Sequence, residues 1–287
     1  MHGQRNIKQN QILAYEQYGF RSNLSTDNIS YSLTHENLSA MNNKHIVGGI
    51  FCDLSKAFDC VNHRILLLKL EHYGIRGAFR TLIKSCLTER CQRVAIKDKT
   101  NTINYSNWEL VKHGEQQGSI LGHLCFVLYI NNLPTVTFKC TKLVLYADGT
   151  SFINTNSSPT EFANRLNKVL ADVNEWFKNN LLFLNLNKTT HLQFRTNNSQ
   201  KLDFNIILRN NQITMHKCTS TKFLCLAIEE TLSWKRHINQ ILSKLSLACY
   251  AIRVITSLMS EDTLKIVYHS YVHSIMTCGI IFWGNSP

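Results

Sequence analysis

The chain has 287 residues, of which 44% are hydrophobic and 17% are charged, enough to build one large or two modest packed domains. Lys and Arg outnumber Asp and Glu by 31 to 19, and the formal net charge of +12 favours an anionic polymer as partner, nucleic acid rather than membrane. The longest apolar runs are shorter than the ~18 residues of a spanning helix, and the polar N-terminus does not resemble a secretory signal.

The cysteine pattern gives no metal or redox motif. Ten cysteines are spread from Cys52 to Cys278 without a C-x-x-C pair, so we expect reduced, mostly buried thiols in an intracellular protein. His269 and His273 lie four residues apart on a predicted helix, with Cys278 beyond. Because no second ligand pair accompanies these residues, we interpret them as a polar helix face rather than a metal site.

The first part of the chain predicts a helix and then a strand that ends in a carboxylate. Thr26-Asp27 is a candidate cap for a helix that runs to about Met41. The loop before it contains Arg21, which is either a phosphate contact or a solvated side chain. The apolar run 46–52 then leads to Asp53, where a further helix is expected to begin.

A leucine-rich helix and a basic stretch come next. The segment from Asn62 to His72 predicts a helix, and Gly74 is placed to end it. The cationic residues that follow alternate with apolar ones, a pattern that can form a basic face along a nucleic-acid backbone; they are Arg76, Arg80, Lys84, Arg90 and Arg93.

The middle of the chain contains a loop and a hairpin. From Gly114 a glycine-bounded loop leads into an apolar helix of about a dozen residues, with Ser119 near its cap. Residues 143–146 and 150–153 predict two strands joined at Asp148-Gly149, a strong hairpin signal. Asp53 and Asp148 thus suggest one anionic site for a hard cation such as Mg²⁺, although each alone has a structural alternative as a cap or a turn.

The remaining segments predict packing elements. An amphipathic helix is expected from about Thr160 to Asn179, followed by two short strands between Leu182 and Phe194. Residues 204–213 and 222–228 predict further strands, and the pattern is helical from Trp234, with a last helix starting at Ser260.

Taken in order, these segments resemble the reverse transcriptase domain of non-LTR (LINE-type) retrotransposons, in particular the jockey-like elements. The matching stretches are QYGFRSNLST, FCDLSKAFDCVNH, GEQQGSILGHLCFVLYINNLP, LYADGTSF, LNLNKT, FLCLAIEETLSWKRHI and YHSYVHSIMTCGIIFWGNS. The resemblance implies an α+β fold: a right-hand polymerase palm, an antiparallel sheet backed by helices, with partial fingers and a helical thumb. Its expected divisions are a lead-in (1–16), fingers and palm (17–233) and a thumb-like helical segment (234–287).

The resemblance also implies roles at matching positions. Asp53 and Asp148 match aspartates that bind two Mg²⁺ ions ~3.5 to 4 Å apart, activating the primer 3′-hydroxyl and stabilising the leaving pyrophosphate. Mn²⁺ is an expected substitute. Lys188 matches a catalytic lysine near the triphosphate, and Phe58 matches the aromatic gate that excludes a ribose 2′-hydroxyl. The implied nucleotide-binding residues are Phe58, Gln117, Gly118 and Arg21, and the implied primer and template contacts are Tyr146, Phe223, Leu224 and Trp234.

Several positions depart from the family pattern. Gly149 replaces the second Asp of the Tyr-Ala-Asp-Asp hairpin, so one carboxylate is missing from the predicted catalytic centre. The other departures are Glu115 for Val, Gln116 for Pro, His123 for Pro, Asn132 for Asp, Cys225 for Gly and Glu229 for Asp. Since Mg²⁺ often takes only one or two protein carboxylates, the expectation is severely reduced polymerisation.

Two functional readings therefore stay open. The first is an RNA-directed DNA polymerase domain, of impaired activity, that uses an RNA template, a DNA primer and deoxynucleoside triphosphates. The second is a catalytically inactive, element-derived remnant that binds nucleic acid. The endonuclease usual upstream in such elements has no counterpart in this sequence, so nicking of target DNA is not expected. The expected location is intracellular, and nuclear for an intact element.

Overall fold

A computed structural model describes residues 12–21, 23–99, 101–115, 118–137, 141–196, 199, 206–208 and 213–285. Its centre is a five-stranded sheet in the spatial order β11-β8-β1-β7-β6. These strands are β1 (Ile46–Cys52), β6 (Thr141–Tyr146), β7 (Gly149–Asn156), β8 (Thr190–Phe194) and β11 (His216–Lys217). All neighbours pair antiparallel except β11 and β8, which pair parallel. The α+β class with a mainly antiparallel sheet is therefore confirmed.

Helices and short hairpins surround this sheet. The helices are α1 (Thr26–Asn42), α2 (His63–His72), α3 (Gly77–Leu87), α4 (Ile120–Ile130), α5 (Pro159–Asn179), α6 (Lys235–Ile255), α7 (Glu261–Val267), α8 (Ser274–Thr277) and α9 (Ile280–Trp283). A 3₁₀ turn covers Leu133–Val136 and a π-helical turn covers Tyr268–His273. The short strands are β2 (Cys91–Gln92), β3 (Ala95–Lys97), β4 (Ile103–Tyr105), β5 (Glu109–Leu110), β9 (Ile207–Leu208), β10 (Ile213–Thr214), β12 (Ser220–Phe223) and β13 (Leu226–Glu229).

The sheet separates two apolar clusters, as strand alternation requires. On one face, Ile50 and Phe152 pack with α4 and the apolar side of α5. On the other face, Val47 and Phe51 pack with residues of α1, β13 and the chain end. The predicted amphipathic helix is confirmed, because its apolar side chains Phe162, Leu166, Val169, Val173 and Phe177 are all buried.

Glycine in the central strand allows this close packing. Gly49 pairs with Ile153 of β7. A Cβ atom at Gly49 would lie 2.7 Å from the carbonyl oxygen of Phe152 and would also strike the Ile153 side chain. No larger residue fits there without moving the neighbouring strand.

Several element boundaries differ from the predictions. No helix begins at Asp53: the backbone is held instead by the bridge between Leu54 and Leu184 and by the Ser55 N–H donating to the Phe183 carbonyl, and α2 starts only at His63. This long-range pairing also reduces the first of the two strands expected after Leu182 to a single bridge. Residues 222–228 are not one strand but parts of the β12–β13 hairpin.

Two smaller corrections concern a cap and the cysteines. The N-cap of α1 is Ser25, whose hydroxyl accepts from the Asn28 N–H in a capping box, rather than Thr26-Asp27. The expectation that the thiols are reduced is wrong for one pair, because Cys225 and Cys278 form a disulfide. The bridge joins the turn of the β12–β13 hairpin to the segment between α8 and α9.

A mostly buried amine connects α2 with the end of α4. The Lys69 Nζ donates to the Tyr129 carbonyl at 2.5 Å and to the Asn132 Oδ1 at 2.9 Å, and it lies 4.5 Å from the Trp176 ring centroid. Burial lowers the pKa of Lys69 to about 7. Asn132 is one of the departures noted above, so this lysine meets an amide where the family pattern has a carboxylate.

Within the described part of the chain, no helix is both long and apolar enough to cross a bilayer.

Candidate active site

Two hydrogen bonds of the Asp53 backbone fix the chain at the end of β1. The Asp53 N–H donates to the Thr189 Oγ1 at 3.2 Å, and the Asp53 carbonyl accepts from the Asn185 N–H at 2.8 Å. These bonds fix the end of β1 against the 185–189 turn. The Asp53 side chain is left 42% exposed, which keeps its carboxylate available to a ligand.

Lys188, on the same turn, faces this carboxylate. Its Nζ lies 3.9 Å from the Asp53 Oδ2, and its side chain is 71% exposed. An ion pair this long and this exposed contributes little stability. Both groups are therefore free to exchange this contact for an anionic or cationic ligand.

The hairpin that carries Asp148 differs in detail from the prediction. Its two-residue loop is Ala147-Asp148, with Tyr146 paired to Gly149 across it, so Asp148 stands exposed at the tip as expected. Gly149 belongs to β7 and has no left-handed φ; Ala147 takes that conformation instead, at φ 51°. The Asp-Gly pair is therefore not the turn itself.

The register of β1 and β7 places position 149, where the family pattern has a second Asp, beside Asp53. The last pair between β1 and β7 is Cys52 with Thr150, so one further step brings Gly149 beside Asp53. A Cβ atom at Gly149 would meet only the Tyr146 carbonyl oxygen, at 3.2 Å. An Asp at this position therefore needs a shift of only a few tenths of an ångström.

The third side of the site is the β12–β13 hairpin. Phe223 is buried with its ring 6.0 Å from that of Phe51, in an edge-on contact that anchors the hairpin to β1. The next residue, Leu224, begins the hairpin turn with φ 54° and is only half-buried.

These three sides enclose a cleft of about 490 Å³. Six predicted site residues line it, namely Asp53, Tyr146, Gly149, Lys188, Phe223 and Leu224. Three further residues line it that were not predicted from the sequence, namely Asn187, Ser151 and Lys222. Adjacency in the chain was the available signal for two of them, because Asn187 precedes Lys188 and Lys222 precedes Phe223.

Other predicted residues lie elsewhere. Trp234 is 7% exposed and packs on Phe282, with ring centroids 5.6 Å apart. Arg21 donates from one guanidinium nitrogen to the carbonyls of Ala14, Tyr15 and Gln17, so it holds the chain segment before α1. Gln117 lies outside the described residues, whereas its neighbour Gly118 has a φ of 82°, which favours glycine.

Phe58 belongs to an aromatic cluster with side chains of the first half of α4. Its ring centroid lies 4.8 Å from that of Phe126 and 5.4 Å from that of His123, and His123 also lies 5.4 Å from Phe20. His123 replaces a proline of the family pattern, and its ring occupies the space between two aromatic side chains. No local sequence signal indicated this arrangement.

Glu115 introduces a poorly solvated carboxyl beside the same cluster. Its N–H donates to the Phe58 carbonyl at 3.2 Å, and its carboxyl group packs against Gly122. The Oε2 atom is buried, and none of the residues that the structure describes gives it a hydrogen bond. Burial, with Asp59 nearby, raises the pKa of Glu115 to about 7.

The oxygen donors at the cleft fit a hydrated hard cation. Asp53 is accessible and Asp148 is exposed at the adjacent tip, and Mg²⁺ often binds one or two carboxylates plus waters and substrate phosphates. Over the residues that the structure describes, no three His, Cys, Asp or Glu side chains form a ready-made metal-binding group.

Comparison with known proteins gives consistent matches. The family profile for reverse transcriptase (RNA-dependent DNA polymerase) matches residues 4–228. The probable RNA-directed DNA polymerase from transposon BS of Drosophila melanogaster is 25% identical over 97% of this chain and 31% of its own length. The RNA-directed DNA polymerase from mobile element jockey of the same species is 26% identical over 78% of this chain and 24% of its own length. The chain thus spans about a third or less of these relatives.

Among solved structures, apo telomerase from Candida tropicalis, truncated from its C-terminal domain, matches 79% of this chain and 41% of its own. The identity is 18% and the TM-score is 0.49.

Proposed function

Because the chain belongs to the reverse transcriptase family, we propose that it is the RNA-directed DNA polymerase domain of a non-LTR retrotransposon, with nucleotidyl transfer impaired by the glycine at position 149. The supporting observation is the cleft in which Asp53, Lys188 and the Tyr146–Gly149 hairpin end face one another. Its substrates are an RNA template, a DNA primer and deoxynucleoside triphosphates.

Asp53 and Asp148 are the proposed holders of Mg²⁺, or of Mn²⁺ in its place. The reverse transcriptase family generally uses divalent metals, and such a cation supplies activation of the primer hydroxyl and neutralisation of the leaving pyrophosphate. Position 149 contributes no oxygen ligand beside Asp53. Cation binding at the cleft is therefore weaker than with three carboxylates.

The remaining cleft residues position the reactants. Lys188 is exposed and close enough to Asp53 to reach a triphosphate held there and to protonate the pyrophosphate. The β12–β13 turn, with Leu224 at the cleft and Phe223 anchored on Phe51, supports the primer end. Phe58 and Gly118 border the path of the incoming nucleotide, where the ring disfavours a 2′-hydroxyl.

A second candidate is a catalytically inactive module that binds nucleic acid. Gly149 favours it, because a carboxylate is missing opposite Asp53. Glu115 favours it too, since its ionised form adds negative charge to the loop beside Phe58. The chain keeps its positive net charge in either case.

Primer extension separates the two candidates. The purified chain is compared with Gly149→Asp and Asp148→Asn on an RNA template with a DNA primer, in Mg²⁺ and in Mn²⁺. Slow extension by the parent chain, abolished by Asp148→Asn, supports the polymerase. The polymerase also stands if the parent is silent and Gly149→Asp extends the primer, because activity regained with one added carboxylate means that the rest of the site is intact.

If all three proteins fail to extend the primer although circular dichroism shows that each is folded, the polymerase is overturned in favour of the binding module.

We also propose an intracellular, nuclear site of action, where a copied strand would meet chromosomal DNA. A fluorescent fusion that stays outside the nucleus would contradict that location.

A further inference from the structure

A two-stranded arm leaves the body of the protein between α3 and α4. It comprises residues 91–110, in which β2 pairs with β5 and β3 pairs with β4. Every residue of these four strands is exposed. An isolated two-stranded hairpin is only marginally stable in water, so a long exposed arm of this kind is suited to bind a partner.

One face of the arm combines cations with aromatic rings. Strand alternation puts Ala95 and Lys97 on the same face, and the pairing of Ala95 with Tyr105 puts the tyrosine there too. Arg93, between β2 and β3, reaches this face through its contact with the Tyr105 ring. The Arg93 guanidinium carbon lies 3.9 Å from the Tyr105 ring centroid and 4.6 Å from that of Trp108. The Arg93 guanidinium therefore lies close to both aromatic rings.

These rings stay open to solvent in spite of that contact. Tyr105 is 53% exposed and Trp108 is 61% exposed. The opposite face carries Val94 and Ile96, also exposed, and within the described part of the arm it has no such cluster of cations and rings. The two faces therefore differ in chemistry, and the cationic, aromatic face is the one that matches an anionic polymer with planar bases.

The charge around the arm points to the same kind of partner. Residues 89–112 contain five Lys or Arg and three Asp or Glu side chains. We propose that the face formed by Arg93, Lys97, Tyr105 and Trp108 binds single-stranded RNA, with bases stacking on the rings and backbone phosphates meeting the cations. Only the choice of RNA over DNA rests on the proposed function.

Binding of a fluorescently labelled oligouridylate of about 15 nucleotides, followed by anisotropy, tests this surface. Trp108→Ala is expected to weaken binding by about 5- to 150-fold, the range for loss of one stacked base. Arg93→Ala is expected to weaken binding and to reduce the slope of log affinity against log salt by about one unit. Ile96→Ser, the matched control on the opposite face, should stay within about twofold of the parent.

Parental affinity in both Trp108→Ala and Arg93→Ala overturns the proposal. Sedimentation velocity adds a second readout: if Ile96→Ser converts a dimer to a monomer while Trp108→Ala keeps parental RNA affinity, the arm is a self-association surface instead.

Failure of the proposed function is distinguishable from failure of this one. Asp148→Asn should remove primer extension and leave oligouridylate affinity unchanged. If the parent, Gly149→Asp and Asp148→Asn all fail to extend the primer while arm-dependent binding is intact, only the polymerase is overturned. If the parent or Gly149→Asp extends the primer and the arm variants bind with parental affinity, only the arm proposal is overturned.

Discussion

Restoring a carboxylate at position 132 should stabilise the protein. In the present chain the Lys69 amine is mostly buried against the Asn132 amide oxygen, 2.9 Å away, and burial lowers the pKa of Lys69 to about 7. The shift from 10.5 corresponds to about 5 kcal/mol as an upper bound on the cost of keeping this amine charged. Unfolded chains bind more protons than folded ones between those pH values, so the free energy of unfolding rises with pH above about 7.

Asn132→Asp would place a half-buried carboxylate at the same contact. A hydrogen bond to a charged partner contributes about 1.5–3 kcal/mol, against about 0.5–1.5 for a neutral pair, and the carboxylate loses part of its hydration. The expected net gain is about 1–2 kcal/mol at pH 6.5, or about 2–6 °C in Tm. The gain should shrink as pH rises from about 7 to 10.5, because the amine of the parent then becomes neutral.

Thermal and urea denaturation of four chains, namely the parent, Asn132→Asp, Lys69→Met and the double variant, measure this coupling. Asn107→Asp, at an exposed position, is the control for the change in net charge. In the Lys69→Met background the new carboxylate has lost its cation and should destabilise by about 1–3 kcal/mol. An unchanged or lower Tm for Asn132→Asp at pH 6.5, with Lys69 present, would refute the reasoning.

Three further outcomes are expected. Burial raises the pKa of Glu115 from 4.5 to about 7, so the folded chain loses stability as pH rises between these values. Glu115→Gln should remove about 1–2 kcal/mol of this pH dependence, after allowance for solvent screening. Thermal melts from acid to neutral pH measure it. A reductant should lower the free energy of unfolding by about 2–4 kcal/mol through the Cys225–Cys278 bridge and have no effect on Cys278→Ser; equal effects on both would contradict this. In the Gly149→Asp background, Phe58→Val should raise ribonucleotide relative to deoxynucleotide incorporation by about 10- to 100-fold in primer extension, and an unchanged ratio would rule out Phe58 as the gate.

The local sequence pattern was sufficient to predict the strand and the hairpin that carry the two aspartates of the site. The apolar run before Asp53 and the hairpin with Asp148 at its tip were both predicted, because strand periodicity and tight turns have strong short-range signals. The exact loop was not, since Ala147 takes the left-handed conformation that an Asp-Gly pair usually assigns to its own residues. Tertiary pairing set the turn there, against residue preference.

Features that depend on distant partners were beyond local pattern. The missing helix at Asp53 reflects pairing with residues 183–185, about 130 positions away in the chain. The roles of Lys188 and Phe223 came from family resemblance, because nothing near them in the sequence indicates a shared cleft. The contact of His123 with Phe20 and Phe58 joins three separate segments, so the hydrophobic periodicity of any one segment could not predict it.

Two glycines, Gly49 in β1 and Gly149 in β7, differ in what an added side chain would meet. At Gly49 any side chain would collide with β7, so a substitution there is expected to disrupt the pairing of the two strands. At Gly149 an added Cβ atom would meet only the Tyr146 carbonyl oxygen, at 3.2 Å, so a side chain there needs a shift of only a few tenths of an ångström. Under the proposed function, the two positions therefore differ in reversibility: β7 excludes a side chain at position 49, whereas a carboxylate can be introduced at position 149 with only a small backbone shift.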